Sequence, residues 1–412
     1  MGNSLEYNLS ETKVENFDWT TFFTVIMLTL MGLLSIYSAT VSFAGSFFDK
    51  QVISAAIGVV VLISVAFFPH RKLRAMSYWI YGLSVILLIA VLFIGVRING
   101  TMGWIRLGGF NMQPAEIAKL GLLMALSNYL SQKGKSISKI NILGRSTLFL
   151  LPLLVLVMLQ PDIGSASVLI ALFLGILFWT GFSSIILLVI IVAPFILIAS
   201  LSDTLFYLIG ASVFSVVVLM LKGRIPLKIL AVAVLFVVGL AGPIVYKSMA
   251  PHQQSRIDSF LDPESDPRGS GYNVMQSKLA VGSGGITGKG FQQGTLTQLR
   301  YIPEQWTDFI YSVPTEEFGF LGGAGIIFLF GVLILRAVKL ATENDNPFFK
   351  ILCFGIGVIF LYHILINIGM VIGMMPVMGI PLPFMSYGGT SLLFNMTLAG
   401  MLLNANRTQK ML

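Results

Sequence analysis

STLFLLPLLVLVMLQPDIGSASVLIALFLGILFWTGFSSIILLVIIVAPFILIASLS (146–202) decides the fold class, because Asp162 is the only charged residue in the whole stretch. About 20 helical residues cross the hydrocarbon core of a bilayer. The run therefore reads as successive spans broken at Gln160-Pro161-Asp162 and again near Gly181. Outward from it the pattern repeats. Apolar stretches punctuated by charge predict twelve spans, near 20–43, 51–68, 76–95, 114–131, 146–160, 162–180, 183–201, 205–221, 227–247, 318–335, 350–373 and 385–404. The expected fold is an all-α polytopic membrane protein. The fifth span is short enough to suggest a broken or re-entrant helix, which needs protein or water over its free backbone groups.

Composition agrees. The chain has 412 residues, 56% hydrophobic and 11% charged, where soluble domains carry about a quarter charged residues. Its net charge of +8 is scattered rather than clustered, so nucleic acid is not an expected partner. Cys353 is the single cysteine, and His70, His252 and His363 lie far apart, so neither a disulfide nor a zinc motif is available. The polar, acidic start MGNSLEYNLSETKVENFDW (1–19) lacks a basic n-region and is not expected to be a signal peptide.

The cations set the orientation. With the N-terminus in the cytoplasm, the inside connections hold Arg71, Lys72 and Arg74, then Lys133, Lys135, Lys139 and Arg145, then Lys222, Arg224 and Lys228. Arg336, Lys339, Lys350, Arg407 and Lys410 complete the set. The short outside connections hold few, which is the positive-inside rule. Residues 1–18 and 405–412 are then cytoplasmic tails, 19–247 and 318–404 are membrane domain, and 248–317 is one large external loop. That loop gathers Asp258, Asp262, Glu264, Asp266, Glu304, Asp308, Glu316 and Glu317, eight of the chain's 18 acids. Its glycines, in GSGY (269–272) and VGSGGITGKGF (281–291), predict tight turns against a ligand or a membrane surface.

Charges inside spans need a partner or a purpose. Glu116 and Lys119, three apart on a helix, share a face; they are either a self-neutralised pair or a polar wall for a head group. Arg106, in GWIRLGGF (103–110), precedes the same helix. Asp162 is either an N-cap or a cavity carboxylate. In the large loop one carboxylate could serve as a general base, or the acids could simply be solvated turn starters. PLPFMSYGGTSLLFNM (381–396) offers Ser386, Thr390 and two glycines for helix entry and packing.

QPAEIAKL, QPDIGSAS, FLDPESDPRGSGYNVMQSKLAVGSGGITGKG, YIPEQWTDFIYS, EEFGFLGG and NIGMVIGMMPVMGIPLPFMSYGGTS, taken together, resemble the SEDS family of shape, elongation, division and sporulation proteins. VMGIPLPFMSYGG is closer to its elongation branch than to its division branch. The resemblance implies a peptidoglycan glycosyltransferase that polymerises lipid II beside a class B penicillin-binding transpeptidase of the elongation machinery. It places the essential loop aspartate on Asp266, with Asp262 as neighbour. It places the family's charged pair on Glu116 and Lys119 and its QPD acid on Asp162. Substrate contacts are expected there and at Arg106, Gln276, Ser277, Lys278 and Lys289, with Lys119, Arg106, Lys278 or Lys289 as the cation for the leaving diphosphate. A divalent cation, magnesium or manganese, could assist the leaving diphosphate. A flippase and a non-enzymatic scaffold are the rival expectations. The chain departs from the family pattern at Trp306, at Ser312–Thr315 and at His363, and the pair 205–221 and 227–247 looks like a hairpin added to a core of ten spans.

Overall fold

The computed structural model describes residues 17–41, 46–98, 101–108, 110–132, 139–249, 251–262 and 270–409. The chain is mostly helical, and each of the twelve expected stretches forms a helix. They are α1 (Trp19–Thr40) and α2 (Phe47–Ala66), followed by the short α3 (His70–Ala75), then α4 (Ser77–Ile94), α5 (Pro114–Ser131), α6 (Lys139–Met158), α7 (Ile163–Trp179), α8 (Ser184–Ser202), α9 (Thr204–Met220) and α10 (Ile225–Ser248). After a run of short helices come α15 (Gly319–Glu343), α16 (Pro347–Val371) and α17 (Gly389–Gln409). Seven of these are long and apolar enough to cross a membrane, and three more are shorter apolar helices. Exposed Trp79, Phe93 and Met220 belong to this set, which is the outer face expected when lipid is the solvent.

Four local expectations change. The fold is not purely α: between α4 and α5 lies an antiparallel meander of β1 (Val96–Ile98), β2 (Thr101–Leu107) and β3 (Phe110–Met112), with Leu107 opposite Phe110 across a two-residue turn. Gly108 in that turn has φ +60°, which a side-chain-bearing residue rarely adopts. The fifth span is not short, because its helix starts at Lys139, and Pro152 lies inside it. α15 likewise runs on through Arg336, Lys339 and Glu343. Lys339 and Glu343, one turn apart, lie 3.9 Å from each other, so charges counted as loop continue the helix beyond its apolar run. The last helix starts only at Gly389, after an extended segment in which Phe384 takes φ +62°.

The stretch 248–317 is built rather than irregular. It carries α11 (Pro251–Leu261), α12 (Ser270–Ser283), α13 (Thr295–Gln298) and α14 (Ser312–Glu317). Asp266, Glu264 and Arg268 lie outside the described residues, as do the N-terminal tail before residue 17 and Lys133, Lys135 and Lys410.

α17 packs on α2, α4 on α5 and α15 on α16, around one apolar core that includes Leu28, Leu122, Leu172, Phe330, Phe360 and Leu402. α5 is buried along almost its whole length, as is α16, so these two form the centre of the bundle. α8, α9 and α10 pack on one another around a separate core of Ile185, Val192, Ile196, Tyr207, Ala211, Val218 and Leu235. Small residues let these helices approach: a Cβ on Gly239 would come 1.9 Å from the Tyr207 ring, and one on Gly242 would come 2.0 Å from Ser200 Oγ.

The two ends of the bundle differ in chemistry. At one end Arg336 pairs with Asp18 at 2.7 Å, Arg74 donates to Asn128, and Arg407 donates to Ala66 O while lying over the Phe67 ring. At the other, the hairpin, the α6–α7 break, the short helices and the α16–α17 segment touch one another. Met102 N donates to Gln160 O, Thr390 Oγ1 to Asn111 O, and Tyr387 N to Trp306 O.

Candidate functional site

The second end brings most of the expected residues together. α5 starts directly after β3, with Pro114 at its first position, where the missing N–H costs nothing. One turn in, Glu116 and Lys119 form an ion pair at 2.8 Å, both about 2% exposed. A third partner was not expected. His363 of α16 has Nδ1 2.8 Å from Ile359 O, so Nδ1 donates and Nε2, 3.4 Å from Lys119 Nζ, accepts. The ammonium also lies 5.0 Å from the centre of the Phe394 ring on α17. Lys119 is thus held on three sides, by Glu116, His363 and Phe394, and a buried cation so enclosed fixes α5 against α16 and α17.

Asp162 acts as the N-cap of α7, accepting from Ser165 N at 2.9 Å and Ser165 Oγ at 2.8 Å. It also accepts from Gln113 Nε2 at 3.1 Å, which joins the α6–α7 break to the head of α5. Arg106 stands on β2 opposite Asn111, and its side chain is exposed.

The segment between α16 and α17 is the spine of this end. Asn367 Nδ2 donates to Asp308 O and Ile380 O, both at 2.8 Å. Ser386 Oγ donates to Thr307 O at 2.7 Å and accepts from Leu382 N. Gln51 of α2 closes the ring with bonds to Ser386 O and Gly388 N. Gly164 and Gly32 permit this approach, since an added Cβ would meet Met378 O at 2.6 Å and Met385 Cα at 2.5 Å.

The glycine-rich loop meets the chain itself. A Cβ on Gly284 would lie 2.0 Å from Thr315 O, and one on Gly288 (φ +82°) would lie 2.1 Å from Glu317 O. Lys289 N and Gly290 N donate to Glu316 O and Glu317 O. Glu316 is fully buried and accepts from Lys289 Nζ at 2.8 Å, Leu296 N at 3.0 Å, Thr297 N at 2.9 Å and Thr297 Oγ1 at 2.6 Å. Burial pushes this carboxyl up, but Lys289 and the Thr297 and Leu296 donors outweigh it, so its pKa lies below the ordinary value. Glu317 accepts from Ser38 Oγ on α1 and from Gln292 N, yet its Oε2 has no hydrogen-bond partner among the described residues. Burial dominates there, the neighbouring Glu316 adds to it, and the pKa is raised. Sequence reasoning counted both glutamates as loop acids. Their adjacency to a Gly-rich stretch was the available signal, but the partners lie 19 or more residues away.

On the flank, α12 is fixed by Ser277, whose Oγ donates to Val371 O at 2.8 Å. Gln276 is half-buried beside it, and Lys278 projects into a cleft shared with α11 and the segment after α16. Asp262 is exposed at the end of α11. Among the described residues no three His, Cys, Asp or Glu side chains converge on one point.

Known proteins resemble the chain along its length. The FtsW/RodA/SpoVE family model, described as a cell cycle protein, matches residues 18–210 and 204–411. A peptidoglycan glycosyltransferase RodA of Treponema pallidum is 32% identical, with 96% of this chain and 99% of that protein covered. The peptidoglycan glycosyltransferase MrdB of Escherichia coli K12 is also 32% identical, covering 94% of each. Stage V sporulation protein E of Bacillus subtilis is 32% identical over 93% of this chain and 95% of its own. A solved chain of a peptidoglycan synthase complex that coordinates polymerization and crosslinking superposes with TM-score 0.73 at 29% identity, covering 96% of this chain and 98% of that one. The rod shape determining protein RodA of Thermus thermophilus gives 0.63 at 25% identity, over 96% of this chain and 98% of that one.

Proposed function

Since this chain belongs to the FtsW/RodA/SpoVE family, the SEDS proteins, we propose that it is a peptidoglycan glycosyltransferase polymerising lipid II in a bacterial cytoplasmic membrane. The observation that carries the reading is the likeness to glycosyltransferases from the first helix to the last. Two features of the fold support it. A polar end is assembled from four connections, and a buried ion pair stiffens the helices beneath that end.

The reaction joins two tethered glycolipids. A hydroxyl oxygen of the acceptor sugar attacks the anomeric carbon of the donor. The bond from that carbon to the diphosphate breaks, and its electron pair leaves on the diphosphate oxygen. The hydroxyl proton passes to a carboxylate, for which we assign Asp266 as general base, with Asp262 beside it. In sequence the base lies on the connection between α11 and α12, and the reaction requires that both lipid tails remain in the bilayer. Glu116 and Lys119 position the helices that frame the centre, and Asp162 fixes the head of α7 against Gln113.

Twelve crossings, both tails in the cytoplasm and an external 248–317 follow from the cation-rich end facing inward. Within the family the reading is an elongation-branch enzyme working with a class B penicillin-binding transpeptidase, supported by VMGIPLPFMSYGG (377–389) and by the solved complex that couples polymerization to crosslinking.

Purified chain incubated with labelled lipid II, with and without the transpeptidase, tests this. Glycan strands support the enzyme, transfer between leaflets without polymer would make the chain a flippase, and neither would make it a scaffold. Asp266→Ala should lower polymerisation by at least about 100-fold, the scale of a positioned base, with membrane insertion unchanged. Full synthesis by that variant would remove Asp266 from the role.

A further inference from the structure

The length of α15 sets the level of the glycine-rich turn. The uncharged run 319–335 rises about 25 Å before Arg336, which falls short of the roughly 30 Å of a hydrocarbon core. Lipid must therefore reach the first turn of α15. That turn is joined to the glycine-rich stretch: Phe320 N donates to Gly285 O at 2.8 Å and Leu321 N to Ile286 O at 3.1 Å. We infer that the segment 284–291 dips into the bilayer, with Ile286 in the acyl region of the leaflet at this end and phospholipid as the partner it meets.

Ile286 is 71% exposed, and its projection is built into the backbone. Gly285 and Gly288 take φ +57° and +82°, and a Cβ on Gly319 would lie 2.6 Å from Ile286 O. Leu321, Phe328 and Leu335, seven apart, form one exposed apolar stripe along α15. The bond from Leu321 N sets Ile286 at the head of that stripe, so the turn is continuous with the face of a spanning helix. Phe291 stacks between Tyr37 of α1 and Phe318, with ring centres 6.4 and 6.2 Å away, and aromatic rings gather at the headgroup level. Tyr37 rises about 28 Å along α1 from Asp18, and Asp18 pairs with Arg336. Two helices measured from one ion pair thus bring the turn to the same boundary. Its one charged side chain, Lys289, is paired with buried Glu316, as a segment leaving water requires. Gly285 O and Ile286 O also satisfy two N–H groups at the start of α15, a service that lipid cannot supply.

This placement is independent of the glycosyltransferase reading, and so is its test. Cys353 is buried, so a nitroxide can be directed to Ile286→Cys in the full chain. In phosphatidylcholine nanodiscs, its collisions with oxygen and with a water-soluble nickel chelate report depth. The label should lie about 5–10 Å below the phosphates, the depth of an interfacial segment. Phe328→Cys, further down the exposed stripe of α15, should lie deeper, and Glu343→Cys, on the last turn, should meet the chelate freely. Phe320→Cys should report the same level as Ile286→Cys, and it keeps the test decisive where the first substitution disturbs the turn. Chelate access at both Ile286→Cys and Phe320→Cys equal to that at Glu343→Cys would overturn the placement. Shielding of both labels from both reagents would overturn it too, because protein rather than lipid would then cover the turn.

Discussion

Glu316 and Glu317 are adjacent in sequence and opposite in electrostatics. Glu316 is ionised against Lys289 and two backbone donors, and its folded pKa is depressed. Its stabilisation is therefore present above the unfolded carboxylate pKa and is lost as pH falls through the folded value. Glu317 has a raised pKa, so its contribution is fully present below the unfolded value and is lost as pH rises through the folded one. Glu316→Gln should cost on the order of 2 kcal/mol at neutral pH, because it leaves Lys289 unpaired beside buried donors. Glu317→Gln should instead flatten the decline of stability with rising pH. Thermal unfolding in detergent from pH 5 to 8 reads both, and an unchanged slope in Glu317→Gln would refute the assignment. At this scale the sequence supplied half of each interaction. The i,i+3 spacing placed Glu116 beside Lys119, and Asp162 before Ser165 announced a cap. His363, 244 positions from Lys119, and Gln113, 49 from Asp162, were invisible, because no local period links them.

At the scale of elements, helix existence was legible and helix ends were not. Apolar runs mark the stretch suited to lipid, whereas α6 and α15 extend past those runs, α6 from Lys139 through Arg145 and α15 through Arg336 and Lys339. The meander had a signal in Leu107-Gly108-Gly109-Phe110, a two-glycine turn between strand-like runs, which the charge-based reading passed over. The trio α8–α10, with its own core, predicts separable behaviour. Gly239→Leu drives a side chain into the Tyr207 ring and should loosen α10 from α9, seen as faster proteolysis of the 203 and 221–224 connections. Polymerisation should change by less than about threefold, since single contacts distant from a site act nearly independently. A collapse of activity with the trio intact elsewhere would tie these helices to the reaction.

For the whole molecule, the segregation of ends is the feature that topology must respect. Arg74, Arg336 and Arg407 mark one end, and the hairpin, α13, α14 and the α16–α17 segment mark the other. Cys353 is buried, so single introduced cysteines can report sidedness without background. Asp203→Cys and Asp258→Cys should react with an impermeant maleimide in intact cells, and Lys222→Cys and Glu343→Cys only after permeabilisation. The reverse result at Lys222 would refute twelve crossings.

The sequence by itself determined that this is a mostly helical membrane protein and which family it joins, because apolar length and motif order are local quantities that can be read along the chain. Only the tertiary structure decided which polar groups share a site. The glycine-rich loop closes on the Glu316–Glu317 backbone, Lys289 is neutralised, and Lys278 is left facing a cleft. Those pairings depend on which helix ends meet, and packing fixes that for residues tens to hundreds of positions apart.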